Sequence, residues 1–304
     1  MKVLVTGGLG FIGSNIVERL VADRHDVTVL DNLNTGNEAN IASVKDKIQI
    51  VKSDAGKIGE LGGSFDVILH QGVYSSSPMY KENKHLTATV LDEMISLLEY
   101  ARKNGSRVVF ASSSSVYNKN DPPHKEDMPI KVTDYYTEGR YAMERIAQLY
   151  NEFYGVRTIG LRYFSVYGPH EKFKGKYANL ITQFLWAMKK DEGIVVFGDG
   201  KQTRDFIHVD DVVEANMLAM NSQLDFGMFN VGTGKSVTIT EMVKMLGEKL
   251  GKEPEIEYIE NKIKNYVMHT QADTSLAEKE LGFKAKVPLE KGMELLRDYY
   301  ESKQ

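Results

Sequence analysis

Residues 3–20 read VLVTGGLGFIGSNIVERL, and the fold follows from how this stretch divides. A β-branched apolar run ends at Thr6, glycines follow, and from Phe11 the apolar residues recur at helical spacing. Gly8, Gly10 and Gly13 stand in G-x-G-x-x-G register, and Gly7 adds the G-x-x-G-x-x-G form. Glycine lets such a turn adopt positive φ and lets backbone N–H groups approach a pyrophosphate at a helix N-terminus. The motif alone is a weak signal. Its context strengthens it: a strand precedes it, an amphipathic helix follows, and the next apolar run, DVTVLD (26–31), ends in Asp31. The stretch predicts a dinucleotide-binding turn, the alternative being a Gly-rich turn without ligand.

Working outward, KVLVTG (2–7), IQIVKSD (48–54), DVILHQ (66–71), RVVFASS (107–113) and VRTIGLR (156–162) read as further strands. Most lack polar alternation, as strands buried on both faces do. Between them, 11–23, 87–103 and 135–154 carry helical periodicity. Strands alternating with helices predict an α/β fold with a doubly wound parallel (Rossmann) sheet. From about residue 166 the texture shifts to Gly-bounded loops, with helices near 177–190, 210–221, 238–250 and 288–301. This predicts a dinucleotide-binding domain over 1–165 and a smaller C-terminal α/β substrate domain over 166–304, with interweaving of the two left open. The second domain is expected over the carboxyl ends of the strands, where such folds bind ligands.

Composition narrows the function classes. The chain has 304 residues and a net charge of −4, which recommends neither nucleic acid nor an anionic membrane as partner. There is no cysteine, so disulfides, thiolate catalysis and thiolate metal sites are excluded. No apolar run approaches the roughly 20 residues of a membrane span. The N-terminus enters a strand directly, so the expected location is cytoplasmic. His70, His208 and His269 show no metal-ligand spacing, and no metal site is expected.

Candidate chemistry begins at Asp31, whose carboxylate would accept from two adenosine ribose hydroxyls and repel a 2′-phosphate, favouring NAD over NADP. Asp54 ends the third strand, where it could reach an adenine amino group; the alternative is a surface loop acid. YYTEGRYAMERIAQLY (135–150) reads as a helix with Tyr136 one turn before Arg140. A cation at that spacing can make a phenol a proton-transfer group, although lysine is the usual partner.

VVFASSSSVYN (108–118) delivers Ser112 to Ser115 to the mouth of the sheet, and here the chain resembles a known family. TGGLGFIGSN, LDNL, FASSSSVY, YYTEGR, LRYFSVYGP, FGDGKQTRDFIHVDDVVEA, NVGTG and TQADTSLAEKELGF occur in the order found in extended short-chain dehydrogenases/reductases of the nucleotide-sugar epimerase/dehydratase group. The resemblance covers nearly the whole chain and is greatest to UDP-glucose 4-epimerase-like members. It implies NAD as cofactor and a nucleotide-diphosphate sugar as substrate. It also implies a homodimer built through 87–103 and 135–154. The family's catalytic Ser/Thr falls on Ser113, its tyrosine on Tyr136 and its lysine on Arg140. Arginine keeps the charge, but its planar fork is a poor replacement for an ammonium. Cofactor contacts are expected from Gly7, Gly10, Phe11, Ile12, Gly13, Asp31 and Asn32. Asp54, Ala55, Gln71, Gly72, Tyr136 and Arg140 complete that set.

Dehydratases of the group carry an Asp-Glu pair directly after the catalytic Ser/Thr, where this chain has Ser114 and Ser115. Hydroxyls cannot serve as that acid/base pair at neutral pH, so epimerisation through a transient ketose is expected. LHQGVYSS and YGPHEKFKGKYAN also resemble ADP-glycero-manno-heptose 6-epimerases, which would make Lys174 an acid/base; the alternative is a solvated loop charge. Asn179 and Arg204 match diphosphate- and nucleoside-binding positions, Phe197 would lie over the base, and Ser165 stands where the family has asparagine. The departures at Arg140 and Ser165 also favour a different class, an NAD-binding protein with weak catalysis.

Overall fold

The computed structural model describes residues 1–302 and places a strand on each of the six apolar runs. The chain opens with β1 (Lys2–Thr6), α1 (Phe11–Ala22), β2 (Asp26–Asp31), β3 (Gln49–Lys52) and β4 (Val67–His70). It continues through α2 (Ser77–Glu82), α3 (Leu86–Asn104), β5 (Arg107–Ser113), α4 (Tyr135–Tyr154) and β6 (Thr158–Tyr163). Then follow β7 (Ser165–Tyr167), α5 (Leu180–Lys189), β8 (Ile194–Phe197), β9 (Thr203–Arg204), β10 (Phe206–His208) and α6 (Val209–Asn221). The chain closes with β11 (Phe226–Val231), β12 (Val237–Thr238), α7 (Ile239–Leu250), β13 (Ile256–Ile259), α8 (Ser275–Leu281) and α9 (Leu289–Ser302).

Seven parallel strands form the central sheet in the order β11-β6-β5-β4-β1-β2-β3. On one face Ile16, Val17 and Leu20 of α1 pack with Val212, Val213 and Met217 of α6. On the other, Val90, Met94 and Leu97 of α3 pack with Met143 and Ala147 of α4. Helices on both faces leave β1, β4 and β5 without an exposed face, which explains their unbroken apolar runs.

The sequence division at residue 165 is crossed. β11 pairs along its length with β6, from Phe226 opposite Thr158 to Val231 opposite Tyr163, and α6 belongs to the layer that covers α1. The remaining C-terminal lobe has its own core, in which Ile181 and Leu185 of α5, Met242 and Leu246 of α7, and Met293 and Leu296 of α9 meet Ile194 and Val196 of β8. Strand order reverses between β1 and β4, and a crevice opens there at the carboxyl ends, where doubly wound sheets take ligands. No helix among the described residues is long and apolar enough to cross a membrane.

Candidate active site

The glycine turn lies in that crevice. Gly7 has φ +66°, a left-handed conformation, and its carbonyl accepts from Gly10 N at 3.0 Å. A Cβ on Gly13 would stand 2.1 Å from the Gly7 carbonyl oxygen, so α1 approaches the turn as closely as backbone allows. The N-cap, Gly10, has no side chain to satisfy the first N–H groups of α1, and its first turn carries no acid. Those donors and the helix dipole together favour an anion.

Asp31 is buried at the end of β2, accepting from Leu9 N at 2.9 Å and Leu33 N at 2.7 Å. Burial raises its pKa, and the two backbone donors oppose that rise. Beside it Asn32 donates to Asp54 at 2.9 Å. Gly7, Gly10, Phe11, Ile12, Gly13, Asp31, Asn32, Ala55, Gln71 and Gly72 all line one cleft of about 750 Å³. A side-chain-free cradle at a helix N-terminus, with an acid at the next strand end, fits a dinucleotide. Gln71 is held from behind: it donates to Asn216 at 3.1 Å, accepts from the Tyr163 hydroxyl at 3.1 Å, and Asn216 donates to that hydroxyl at 2.8 Å. This closed triangle ties the cleft floor to α6 and β6.

Ser113 is the last residue of β5, and its hydroxyl caps the 3-10 turn Ser114–Tyr117 by accepting from Ser115 N at 3.2 Å. Tyr136 is the second residue of α4, whose start is fixed by Asp134 accepting from Thr137 N at 2.8 Å. Its ring meets the edge of Tyr80 with centroids 5.4 Å apart. Arg140 lies only 3% exposed with its guanidinium 5.1 Å from the Tyr136 ring centroid. Its Nη1 donates to the Ala111 carbonyl at 2.7 Å and its Nη2 to the Tyr74 carbonyl at 3.0 Å. The arginine thus clamps the end of β5 to the loop after β4, a two-carbonyl geometry suited to a planar fork. Among the described residues its Nε has no partner, and neither has Nε2 of the fully buried His70. Burial, and then the charge of Arg140, push the His70 imidazole down to about 3, so it is neutral beneath the guanidinium.

A second buried network supports β5. Ser112 donates to Glu144, one turn beyond Arg140 on α4, and Glu144 pairs with Arg162 of β6 at 2.7 Å. Arg162 donates to the Tyr117 hydroxyl at 2.7 Å, which donates to Asn230 of β11 at 2.7 Å. The residue before Ser113 is therefore held by a network that runs through a charged pair on α4 and β6 to Asn230 on β11.

The substrate-side candidates are spread over β7, β8, β9 and the segment before α5. Asn179 caps α5 through its side-chain oxygen, and its N–H donates to the buried Glu171 at 2.6 Å. Ser165 begins β7, and its N–H donates to the Asp205 carbonyl at 3.0 Å. Phe197 lines a hollow of about 830 Å³ with Leu180 and Tyr266. Arg204 lies over the Tyr266 ring at 5.4 Å and donates to the carbonyls of Thr203, Val267 and Met268. Two of its donors thereby tie down the 267–268 segment. Lys174 stands on the wall of the dinucleotide cleft, 5.3 Å from the Phe11 ring centroid and 3.2 Å from Glu171.

The cleft also includes residues that sequence reasoning passed over. Asn34, Thr35 and Gly36 lie three to five residues after Asp31, and that nearness was a usable signal. Tyr74 and Glu93 also line the cleft. Glu93 had a legible signature, an acid on the apolar stripe of α3.

With this geometry in place, comparison with known proteins is informative. Residues 3–232 match the model of the NAD dependent epimerase/dehydratase family. A putative UDP-glucose 4-epimerase of Methanocaldococcus jannaschii is 34% identical over 96% of this chain and 95% of its own length. A UDP-N-acetylglucosamine 4-epimerase from Methanobrevibacter ruminantium, solved with UDP-N-acetylmuramic acid, is 30% identical with a TM-score of 0.92, covering 100% of this chain and 99% of that one. An ADP-L-glycero-D-manno-heptose-6-epimerase from Helicobacter pylori is 28% identical with a TM-score of 0.88, covering 99% and 96%.

Proposed function

The chain belongs to the NAD dependent epimerase/dehydratase family, and from that premise we propose that it epimerises a nucleotide-diphosphate sugar of the UDP-glucose/UDP-galactose type at C4. One observation carries the reading: Arg140, whose guanidinium lies 5.1 Å from the Tyr136 ring centroid, donates to Ala111 on β5, the strand that ends in Ser113, and the two residues after Ser113 are serines. The glycine turn before α1 and Asp31 would hold NAD, which would supply the hydride acceptor and donor. Tyr136 takes the proton of the sugar hydroxyl as the carbon is oxidised, and gives it back to the same oxygen as hydride returns to the opposite face of that carbon. Ser113 orients that hydroxyl, and Arg140 holds β5 and the loop after β4 at fixed separation around the reacting carbon. Ser114 and Ser115 offer no group that ionises near neutral pH, so elimination of water lacks its acid and base.

A second reading, heptose-type epimerisation on an ADP-sugar, is favoured by Lys174, whose ammonium is held by a fully buried carboxylate at the cleft wall. One experiment separates the two. The purified protein is incubated with UDP-, ADP-, GDP- and dTDP-sugars and the products are read by NMR. Interconversion of UDP-glucose and UDP-galactose supports the first reading; turnover confined to an ADP-heptose replaces it with the second.

A further inference from the structure

We propose that Glu93 recognises the adenine of the bound dinucleotide as a neutral carboxylic acid, donating to a ring nitrogen and accepting from the exocyclic amino group. The proposal rests on the adenosine lying against the ends of β2 and β3, where Asp31 and Asp54 stand. Glu93 sits on the apolar stripe of α3 between Val90, Met94 and Leu97, and only 5% of it is exposed. It lines the cleft beside Ser53 and Ala55, and its Cγ would be 3.5 Å from a Cβ on Gly56, so α3 presses it against the turn that follows β3.

No hydrogen bond or ion pair to the Glu93 carboxyl occurs among the described residues, whereas the other acids of this cleft are engaged. The carboxyl oxygens are open to the cleft, so a ligand that covers them is favoured only if it supplies the partners that water gives them now. The groups that act on it are all acidic or neutral. Asp54 faces it from the end of β3 and Asp92 from its own helix. The phenols of Tyr74, in the loop after β4, and Tyr80, on α2, feel its charge in turn. Burial first, then Asp54 and Asp92, push its carboxyl up to about 7. Covering the carboxyl with a base removes still more water, which holds the acid neutral. A neutral carboxyl has one donor and one acceptor side by side. Adenine presents the complement, an amino donor next to a ring-nitrogen acceptor.

The test measures NAD affinity of the cofactor-stripped protein by calorimetry from pH 6 to 9, with unfolding temperature recorded for each variant. Wild-type affinity is expected to be level below about pH 7 and to weaken by up to tenfold per pH unit above it. Glu93→Gln keeps a donor and an acceptor without a titrating proton, so it should hold the low-pH affinity across the range. Glu93→Leu should lose about tenfold at pH 6. The preference for NAD over nicotinamide hypoxanthine dinucleotide, in which an oxo group replaces the amino group, should shrink in that variant by a similar factor. If Glu93→Gln follows the wild-type pH profile, or a folded Glu93→Leu binds NAD as tightly as wild type at pH 6, the proposal is overturned. Should Glu93→Leu not fold, the Glu93→Gln profile decides alone.

Discussion

Tyr136 and Arg140 stand one helical turn apart, and the side chain between them does more than supply charge. The Arg140 fork satisfies two carbonyls, one in β5 and one in the loop after β4, and its guanidinium lies against the Tyr136 ring. Replacing Tyr136 by Phe removes only a hydroxyl from a ring that keeps its packing against Tyr80. We expect kcat to fall by roughly 10²–10⁴, the range for general acid–base groups, with NAD content and unfolding temperature unchanged. Wild-type turnover in that variant would remove Tyr136 from the chemistry. Arg140→Met should act on the fold as well as on catalysis, because it strands the Ala111 and Tyr74 carbonyls at a buried site. Two hydrogen bonds to a charged group imply a loss of about 2–4 kcal/mol in urea unfolding. Arg140→Lys keeps the charge and one of the bonds, so it should lose about half of that and hold activity within tenfold. An Arg140→Met protein as stable as its parent would show that the clamp carries no energetic weight.

Among the elements, the turn between β1 and α1 leaves the least room. A Cβ at Gly13 would enter the van der Waals shell of a carbonyl oxygen at 2.1 Å, and backbone on both sides prevents easy retreat. Gly13→Ala should therefore abolish NAD binding while the rest of the sheet survives, which calorimetry and far-UV circular dichroism together would check. Retained NAD affinity would mean that the helix can move away. This element was fully legible in the sequence, because glycine spacing and apolar period both report backbone needs that are local. The same holds for β2, β5 and α4, whose boundaries fall where the periodicity placed them. β11 was not legible: FGMFNV contains a glycine and sits at the sheet edge with its first three residues only half-buried, so neither an unbroken apolar run nor an alternation marks it. Long side chains were the other blind spot. For Arg204, which of several acceptors its fork meets is set by a segment far away in sequence, the Val267 and Met268 carbonyls. Glu93 was visible as an anomaly on its helix stripe, yet only the packing of α3 on the turn after β3 turns that anomaly toward a cleft.

In the whole molecule the two halves of the chain are interleaved, since β11 and α6 return to the first layer and Asn230 joins the network behind Ser113. That construction leaves α3 and α4 side by side, with one flank of the pair facing outward. The outer face of α4 carries Leu149, Phe153 and Tyr154 at 41%, 71% and 57% exposure. Leu149 and Phe153 are one turn apart and so share a stripe, and Arg102 of α3 covers part of the Tyr154 ring at 5.3 Å. Scattered surface apolar residues are ordinary, but an apolar stripe on a helix pair suits a second copy related by a two-fold axis. We expect light scattering after gel filtration to give twice the mass of the chain at micromolar concentration. The double substitution Leu149→Glu, Phe153→Glu would then put four carboxylates into a self-complementary interface, two from each copy, and should give monomers. NAD affinity should be retained in them, because the glycine turn and Asp31 lie at the carboxyl edge of the sheet and not on this face. A parent protein that elutes at the mass of one chain would exclude the pairing outright. A dimer untouched by the double substitution would place the interface on another surface.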